Sequence, residues 1–222
     1  MTDFDKRELL RLPIKKLDEK SINQIAAGEV IERPAAAIKE LIENSIDSAA
    51  TSIEVSFSDG GKSFIKVIDN GCGIRKAELE LALTSHATSK IKDSDLTHIN
   101  SLGFRGEALS SIGAVSKLTI KSKVREEREA AEIKAVAGRL SGIKPAALSS
   151  GTSVEIRDLF FSTPARLKFL KSVRAETQAI FDTVKKLALS NPDVRFLLQD
   201  VTKEQKKIFL DLPEEKFTDK YY

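Results

Sequence analysis

Residues 34–73 read PAAAIKELIENSIDSAATSIEVSFSDGGKSFIKVIDNGCG, and a change of pattern within this stretch decides what fold the chain can form. The first part predicts a helix over residues 35–49, because apolar residues recur along one stripe at helical spacing: Ile38, Leu41, Ile42, Ile46 and Ala49. From Ser52 apolar and polar residues alternate, which predicts a half-buried strand. Asp59-Gly60-Gly61 then predicts a turn into a second strand over residues 64–68. The stretch therefore predicts a helix followed by a β-hairpin.

The rest of the chain continues to alternate helices and hairpins. A short helix is predicted from Asp18 to Gly28, another begins at Thr163-Pro164, and a longer one covers residues 173–189. Further strands are predicted at 117–122, 131–137, 153–158, 194–199 and 207–211. This order favours an α+β sandwich, with a mixed, mostly antiparallel sheet and helices on one face, over a doubly wound parallel sheet.

Composition and charge narrow the class of protein. The chain has 222 residues, of which 41% are hydrophobic, so a packed core is expected. The formal net charge of +3 is too small to indicate nucleic-acid binding by itself. A single cysteine favours a reducing compartment, and no stretch approaches the roughly 20 apolar residues that cross a bilayer. A soluble cytoplasmic protein without membrane contact is predicted.

Three regions are expected along the chain. Residues 1–16 are basic, are interrupted by Pro13 and lack periodicity, which is typical of an arm. Residues 17–212 carry the predicted elements and form the domain. Residues 213–222 are charged and polar, as expected of a linker towards a second domain beyond this chain.

Two groups of polar residues are candidates for chemistry in the first half. Glu40, Asn44 and Asp47 share one face of the long helix, which fits either a solvated surface or a site where Asn44 binds Mg²⁺ and Glu40 accepts a proton from water. Asp69-Asn70-Gly71-Cys72-Gly73 follows a strand, and fits either an ordinary turn or a pocket where Asp69 accepts a hydrogen bond from an adenine amine. Cys72 has no recognisable histidine partner and is not expected to be a nucleophile.

Glycine-rich and hydroxyl-rich segments form a third candidate region. Gly103 to Leu109 is a glycine-bounded loop that enters a predicted helix, and free N–H groups at a helix start bind anions. Thr84 to Lys90 supplies hydroxyls and one cation just upstream. Both segments are also common in ordinary polar loops, so neither identifies a phosphate site alone.

The order of these motifs resembles the four nucleotide-binding motifs of the GHKL ATPases. This class includes gyrase B, the large heat-shock chaperones, sensor histidine kinases and MutL, and its fold is the GHKL (Bergerat) ATP-binding sandwich. The sequence is similar to that of the MutL family of DNA mismatch-repair proteins in five segments: residues 24–34, 39–45, 87–91, 103–109, and 157–160 with 163–166. The resemblance covers about residues 14–212. Two departures are Ala49, where the family usually has glycine, and Phe161-Ser162, where it usually has Tyr-Asn.

The resemblance implies a role for each motif residue. Glu40 would be the catalytic general base and Asn44 the protein ligand of Mg²⁺. The residues implied to bind ATP are Asp69, Gly73, Ala87, Thr88, Ser89, Gly103, Phe104, Arg105, Gly106, Glu107, Ala108, Leu109 and Thr152. Asp69 would bind the adenine amine, Gly73 would let the ring approach, and the segments 87–89 and 103–109 would wrap the triphosphate.

The resemblance also implies a function in DNA mismatch repair. ATP binding and slow hydrolysis would drive closure of a homodimer, with weak, sequence-independent DNA binding and the mismatch-recognition protein MutS as a partner. Turnover is expected to be weak, because in the family a lysine from the following domain reaches the γ-phosphate. Two alternatives are another GHKL-class ATPase and an ATP-gated binding clamp with negligible turnover. A histidine kinase is disfavoured, because neither histidine lies on an upstream hairpin.

Overall fold

The fold is built around one mixed sheet that carries helices on one face. The structure is a computed structural model that describes residues 15–16, 19–85, 87 and 106–214. The helices are α1 (Glu19–Val30), α2 (Pro34–Asp47), α3 (Ala108–Val115), α4 (Pro164–Leu167) and α5 (Val173–Ser190). The strands are β1 (Ser52–Ser58), β2 (Phe64–Asp69), β3 (Lys117–Lys123), β4 (Ala130–Val136), β5 (Arg139–Leu140), β6 (Lys144–Ala146), β7 (Gly151–Arg157), β8 (Arg195–Asp200) and β9 (Lys207–Leu212).

The sheet places β2 between strands that are distant in sequence. The strand order is β5-β4-β3-β7-β2-β1-β8-β9, and β6 pairs with β4. Every pairing is antiparallel except that of β1 with β8. Asp69, the last residue of β2, faces Ile53 of β1 on one side and Thr152 of β7 on the other. The end of β2 therefore lies inside the sheet rather than at its edge.

The core fills the space between the sheet and α2, α3 and α5. Alternate residues of β1 and β2 point into it, including Ile53, Val55 and Phe57, which are fully buried. The apolar stripe of α2 packs on this surface through Ile38, Leu41 and Ile42, which are at most 2% exposed. In the part of the chain that the structure describes, no helix combines the length and apolarity of a membrane span.

The predicted helix over 35–49 is wrong at its C-terminal end. Helix α2 stops at Asp47, and Ala49 is exposed with φ 57° instead of continuing the buried stripe. The N–H of Ala49 donates to the carbonyl of Ile46, and that of Ala50 to the carbonyl of Ser45. This is a Schellman cap, whose residue just past the helix takes the left-handed conformation that glycine adopts without strain. The glycine that the MutL family usually has at this position fits that geometry.

The predicted strands are confirmed with shifts of one or two residues at their ends. The parallel pairing of β1 with β8, and the short strands β5 and β6, were not predicted. Two- and three-residue strands carry too little alternation to stand out from a loop. The α+β class, with a mostly antiparallel sheet and helices on one face, is confirmed.

Candidate nucleotide-binding site

Asp69 is a buried carboxylate held by three hydrogen bonds at the end of β2. Its Oδ1 accepts from the backbone N–H of Gly71 at 2.9 Å and from that of Thr152 at 3.2 Å. Its Oδ2 accepts from the hydroxyl of Ser45 on α2 at 3.0 Å. A carboxylate oxygen has two lone-pair sites, so Oδ1 is filled and Oδ2 can accept from one further donor. The carboxylate is thus oriented to receive a ligand N–H on one defined oxygen.

The environment of Asp69 shifts its proton affinity. The side chain is 8% exposed, and this burial raises the pKa of Asp69 above the ordinary aspartate value. The hydrogen bonds from Gly71, Ser45 and Thr152 stabilise the charged form and oppose the shift. Burial is the larger effect, so the ionisation of this acceptor depends on pH in a higher range than for an exposed aspartate.

Helix α2 is joined to Asp69 through Ser45. The Ser45 hydroxyl has a single proton and two acceptors at 3.0 Å, the Leu41 carbonyl and the Asp69 carboxylate. Sequence reasoning missed Ser45. The signal was present, since a small polar residue on the apolar side of a helix needs a buried partner.

The loop after Asp69 needs glycine for reasons of packing. Gly73 has φ 78°, and a Cβ there would lie 2.5 Å from the Lys123 carbonyl oxygen. Gly151, at the start of β7, has φ 77°, and its Cβ would lie 2.1 Å from the Asp69 carbonyl oxygen. Cys72 is exposed between the two glycines of the loop. The Lys123 backbone lies so close to Gly73 that a glycine is required there even without a ligand. The contact of Gly73 with an adenine ring stays a prediction.

Thr152 is at the site, but its two polar groups point to different partners. Its N–H binds Asp69, while its hydroxyl lies 2.9 Å from the hydroxyl of Ser122 on β3. Ser122 also accepts from the N–H of Ile74 and donates to the Gly151 carbonyl. Because Ser122 has only one proton, Thr152 is the donor between the two hydroxyls. Sequence reasoning missed Ser122, although alternation with buried Leu118 and Ile120 places it on the inner face of β3.

Glu40 and Asn44 lie on α2 one turn apart, as predicted. The Glu40 side chain is 27% exposed, and Asn44 is half-buried. The Lys39 ammonium lies 3.6 Å from Glu40 and 2.8 Å from Glu43. Burial lowers the pKa of Lys39, but the hydrogen bond and charge of Glu43 and the charge of Glu40 outweigh it, so the pKa is raised. Lys39, which was not predicted, is therefore a persistent cation beside the candidate base.

The predicted phosphate loop is described only from Gly106 onwards. Gly106 has φ 63°, and α3 begins at Ala108 after Glu107, whose side chain makes no capping hydrogen bond to the helix. Leu109 packs against the core. Ala87 lies half-buried in a loop. Thr88, Ser89, Gly103, Phe104 and Arg105 lie outside the described residues.

A metal would not find a ready set of protein ligands here. Among residues 15–16, 19–85, 87 and 106–214, no three His, Cys, Asp or Glu side chains are grouped to hold an ion. A Mg²⁺ ion at Asn44 would need most of its oxygen ligands from elsewhere, and phosphates and water commonly supply them. The residues present fit Mg²⁺ only as a companion of a bound nucleotide.

Comparison with known proteins agrees with this geometry. Residues 31–138 match the family described as histidine kinase-, DNA gyrase B- and HSP90-like ATPase. That match spans α2, the loop after β2 and α3. The fold and the site therefore define a GHKL-class ATPase domain.

The individual relatives show which family within this class the chain resembles. The DNA mismatch repair protein MutL of Bartonella bacilliformis is 58% identical over 185 residues, which are 83% of this chain and 30% of that protein. The MutL of Brucella anthropi is 56% identical over 187 residues, 84% of this chain and 30% of that protein. The Aquifex aeolicus MutL ATPase domain complexed with ADP superposes with a TM-score of 0.70 at 35% identity, covering 84% of this chain and 66% of that one.

Within the GHKL class, the chain belongs to the MutL family and corresponds to its ATPase domain. It spans about a third of the length of the curated MutL proteins that it matches.

Proposed function

We propose that this chain binds ATP at the end of β2 and hydrolyses it slowly, as the ATPase part of a DNA mismatch-repair protein. The observation that carries the proposal is the Asp69 carboxylate, which is buried, held on three sides and left with one acceptor site on Oδ2. An acceptor at this position selects adenine, whose 6-amino group donates, over a base that presents a carbonyl at the same ring position, as guanine does. The ADP named in the Aquifex structure is consistent with such a ligand.

Helix α2 supplies the groups for hydrolysis. Glu40 would accept the proton of the attacking water, and Asn44 would offer its amide oxygen to Mg²⁺. The Lys39 ammonium lies 3.6 Å from Glu40, so a positive charge stands beside the proposed base. When bound, Mg²⁺ would neutralise phosphate charge as the phosphoryl group is transferred.

In this proposal the N-terminus of helix α3 receives the phosphates. Its first turn follows the positive-φ Gly106, and the positive end of the helix dipole lies there. Thr88, Ser89 and the segment Gly103 to Leu109 remain part of the proposed triphosphate lid, together with Ala87.

A comparison of binding with turnover tests these roles. Glu40→Ala should bind ATP with nearly unchanged affinity and lose about 10²-fold or more of its phosphate release, which is the typical share of a general base. Glu29→Ala, an exposed glutamate on α1, is the matched control and should behave like the unmodified chain. Equal loss of binding and turnover in Glu40→Ala would show that Glu40 is structural. Tight ATP binding without phosphate release in the unmodified chain would instead favour the ATP-gated clamp.

The proposal includes a nucleotide-dependent homodimer. Helix α1, which follows the proposed arm at residues 1–16 in sequence, exposes Ile22 and Ile25, which are 47% and 54% accessible. The domain would span residues 17–212, with residues 213–222 as a linker. Sedimentation with a non-hydrolysable ATP analogue should give a higher mass than with ADP. The same monomer with both nucleotides would contradict closure by this fragment.

DNA and MutS are the proposed macromolecular partners, with mismatch repair in the cytoplasm as the setting. Lys168, Lys171 and Arg174 are exposed near α4 and α5, whereas Arg166 is occupied within the protein. If the exposed cations contact DNA phosphates, affinity should fall steeply with salt and ignore sequence. Binding that survives a few hundred millimolar salt would contradict this mode.

A further inference from the structure

One short segment connects the ends of two helices that lie on the same side of the sheet. Residues 158–166, here called the bridging segment, run from the end of β7 into α4. Asp158 and Phe160 have φ of 51° and 68°, a conformation that non-glycine residues rarely adopt. Leu159 and Phe160 are nonetheless buried, at 1% and 0% exposure. The surrounding contacts therefore hold this segment in one strained shape.

The bridging segment completes the C-terminal end of α3. The last four carbonyls of a helix have no partner within it. In α3 the carbonyl of Val115 accepts from the N–H of Phe160 at 2.8 Å, and that of Ala114 accepts from the hydroxyl of Ser162 at 3.1 Å. The other two are satisfied by Ser116 at 2.7 Å, through its hydroxyl to Ile112, and by the N–H of Gly138 at 2.9 Å to Gly113. The C-terminus of α3 is thus fixed completely.

The same segment holds the C-terminal end of α1 through Arg166. Its Nη1 donates to the carbonyl of Gly28 at 2.8 Å and to that of Ile31 at 3.3 Å. A cation at this end of a helix also interacts favourably with the helix dipole. A Cβ at Gly28 would lie 1.5 Å from Nη2 of Arg166, so only glycine leaves room for the guanidinium. The Cζ atom of Arg166 also lies over the Phe160 ring, 5.9 Å from the ring centroid.

We infer that Arg166 is a positioning residue that couples the phosphate-facing helix α3 to α1. This rests on the proposed function, because the N-terminus of α3 is where the phosphates would bind. A nucleotide that orders the first turn of α3 also restrains its C-terminus, which shares the bridging segment with the end of α1. Helix α1 packs against α3 as well, so Arg166 adds a directional polar link to an apolar contact.

Amide hydrogen exchange of α1 and α3, with and without ADP, tests the coupling. Arg166→Gln removes the charge and the donor fork, and should speed exchange at residues 24–31 roughly tenfold or more in the ligand-free protein, as expected for loss of a charged hydrogen bond. ADP should still slow exchange in α3 of this variant, while α1 no longer responds. Arg166→Lys should restore part of the α1 response. Arg128→Gln, at an exposed cation between β3 and β4, carries the same charge change and should match the unmodified chain.

Gly28→Ala provides an independent test that leaves Arg166 in the sequence. Alanine favours a helix more than glycine does, so an uncoupled α1 would exchange more slowly in this variant. The inference predicts the opposite, faster exchange at residues 24–31, because the added methyl displaces the guanidinium. Slower exchange in Gly28→Ala, or an α1 response to ADP that persists in Arg166→Gln, would overturn it. If ADP does not slow exchange in α3 of the unmodified chain, the proposed nucleotide site is wrong. Exchange measured without ADP in Arg166→Gln still decides whether Arg166 stabilises the end of α1.

Discussion

Replacing Asp69 with asparagine separates its role as an acceptor from its role in the fold. The amide oxygen can keep both N–H donors now on Oδ1, those of Gly71 and Thr152. The amide nitrogen then takes the place of Oδ2 and can donate to the Ser45 hydroxyl, which in turn can donate to the Leu41 carbonyl at 3.0 Å. The internal network survives, but an NH₂ group now faces the ligand amine.

Asp69→Asn should weaken ATP binding without lowering the stability of the free protein. A hydrogen bond to a charged group contributes about 1.5–3 kcal/mol, which corresponds to roughly 10- to 150-fold weaker ATP binding. The melting temperature of the free protein should stay level or rise, because a buried carboxylate is removed without orphaning a donor. Asp69→Ala is the contrast, since it leaves the buried N–H of Thr152 unpaired, at about 1–3 kcal/mol, together with the part-buried N–H of Gly71, and should lose stability and binding together. Calorimetric titration with ATP and thermal unfolding measure both quantities. Unchanged affinity in Asp69→Asn would remove Asp69 from the site.

Two further predictions follow from the pKa of Asp69 and the cap of α2. Because burial raises that pKa, ATP affinity should fall with decreasing pH in a range above that of an ordinary aspartate, while the ligand-free protein gains stability there as the folded state binds the proton more tightly. Asp69→Asn should flatten both trends, and identical pH profiles in the two proteins would refute the assignment. Ala49→Gly should stabilise the fold by about 0.5–1 kcal/mol, because relief of the left-handed strain exceeds the entropy cost of glycine. Denaturant unfolding would measure this, with Ala179→Gly inside α5 expected to have the opposite sign and ATP affinity unchanged in both.

The elements could be predicted from sequence where one period dominates. Ile38, Leu41 and Ile42 repeat with helical spacing and are buried, and the alternation of Ile53, Val55 and Phe57 marks β1. The helical pattern wrongly placed Ala49 inside α2, because apolar spacing carries no information on the backbone geometry that ends a helix. The parallel pairing of β1 with β8 could not be predicted, since alternation shows which face of a strand is buried but not which strand lies beside it.

The order of the candidate motifs along the chain could be predicted, but the hydrogen bonds around them could not. Glu40 and Asn44 stand out as polar residues one helical turn apart, and Asp69 stands out because it follows a strand and begins a glycine-rich loop. Ser45 and Ser122 lie on faces that periodicity marks as buried, but the partner of each hydroxyl is on another element and cannot be read from the sequence. Arg166 is a similar case. Its charge is visible in the sequence, but the carbonyl at the end of α1 that its guanidinium binds is not.

The pairing of β1 with β8 has a consequence for how the protein is synthesised. Strand β1 is made early with its helix and hairpin partner, but Arg195 to Asp200, which cover its other side, leave the ribosome only when nearly the whole domain has been translated. Until then a strand carrying Ile53, Val55 and Phe57 presents an open edge in the middle of the future sheet. Unpaired apolar edges of this kind favour intermolecular association during folding. Shortened chains that end before β8 should therefore depend on chaperones and aggregate, even though every proposed ATP contact precedes it in the sequence.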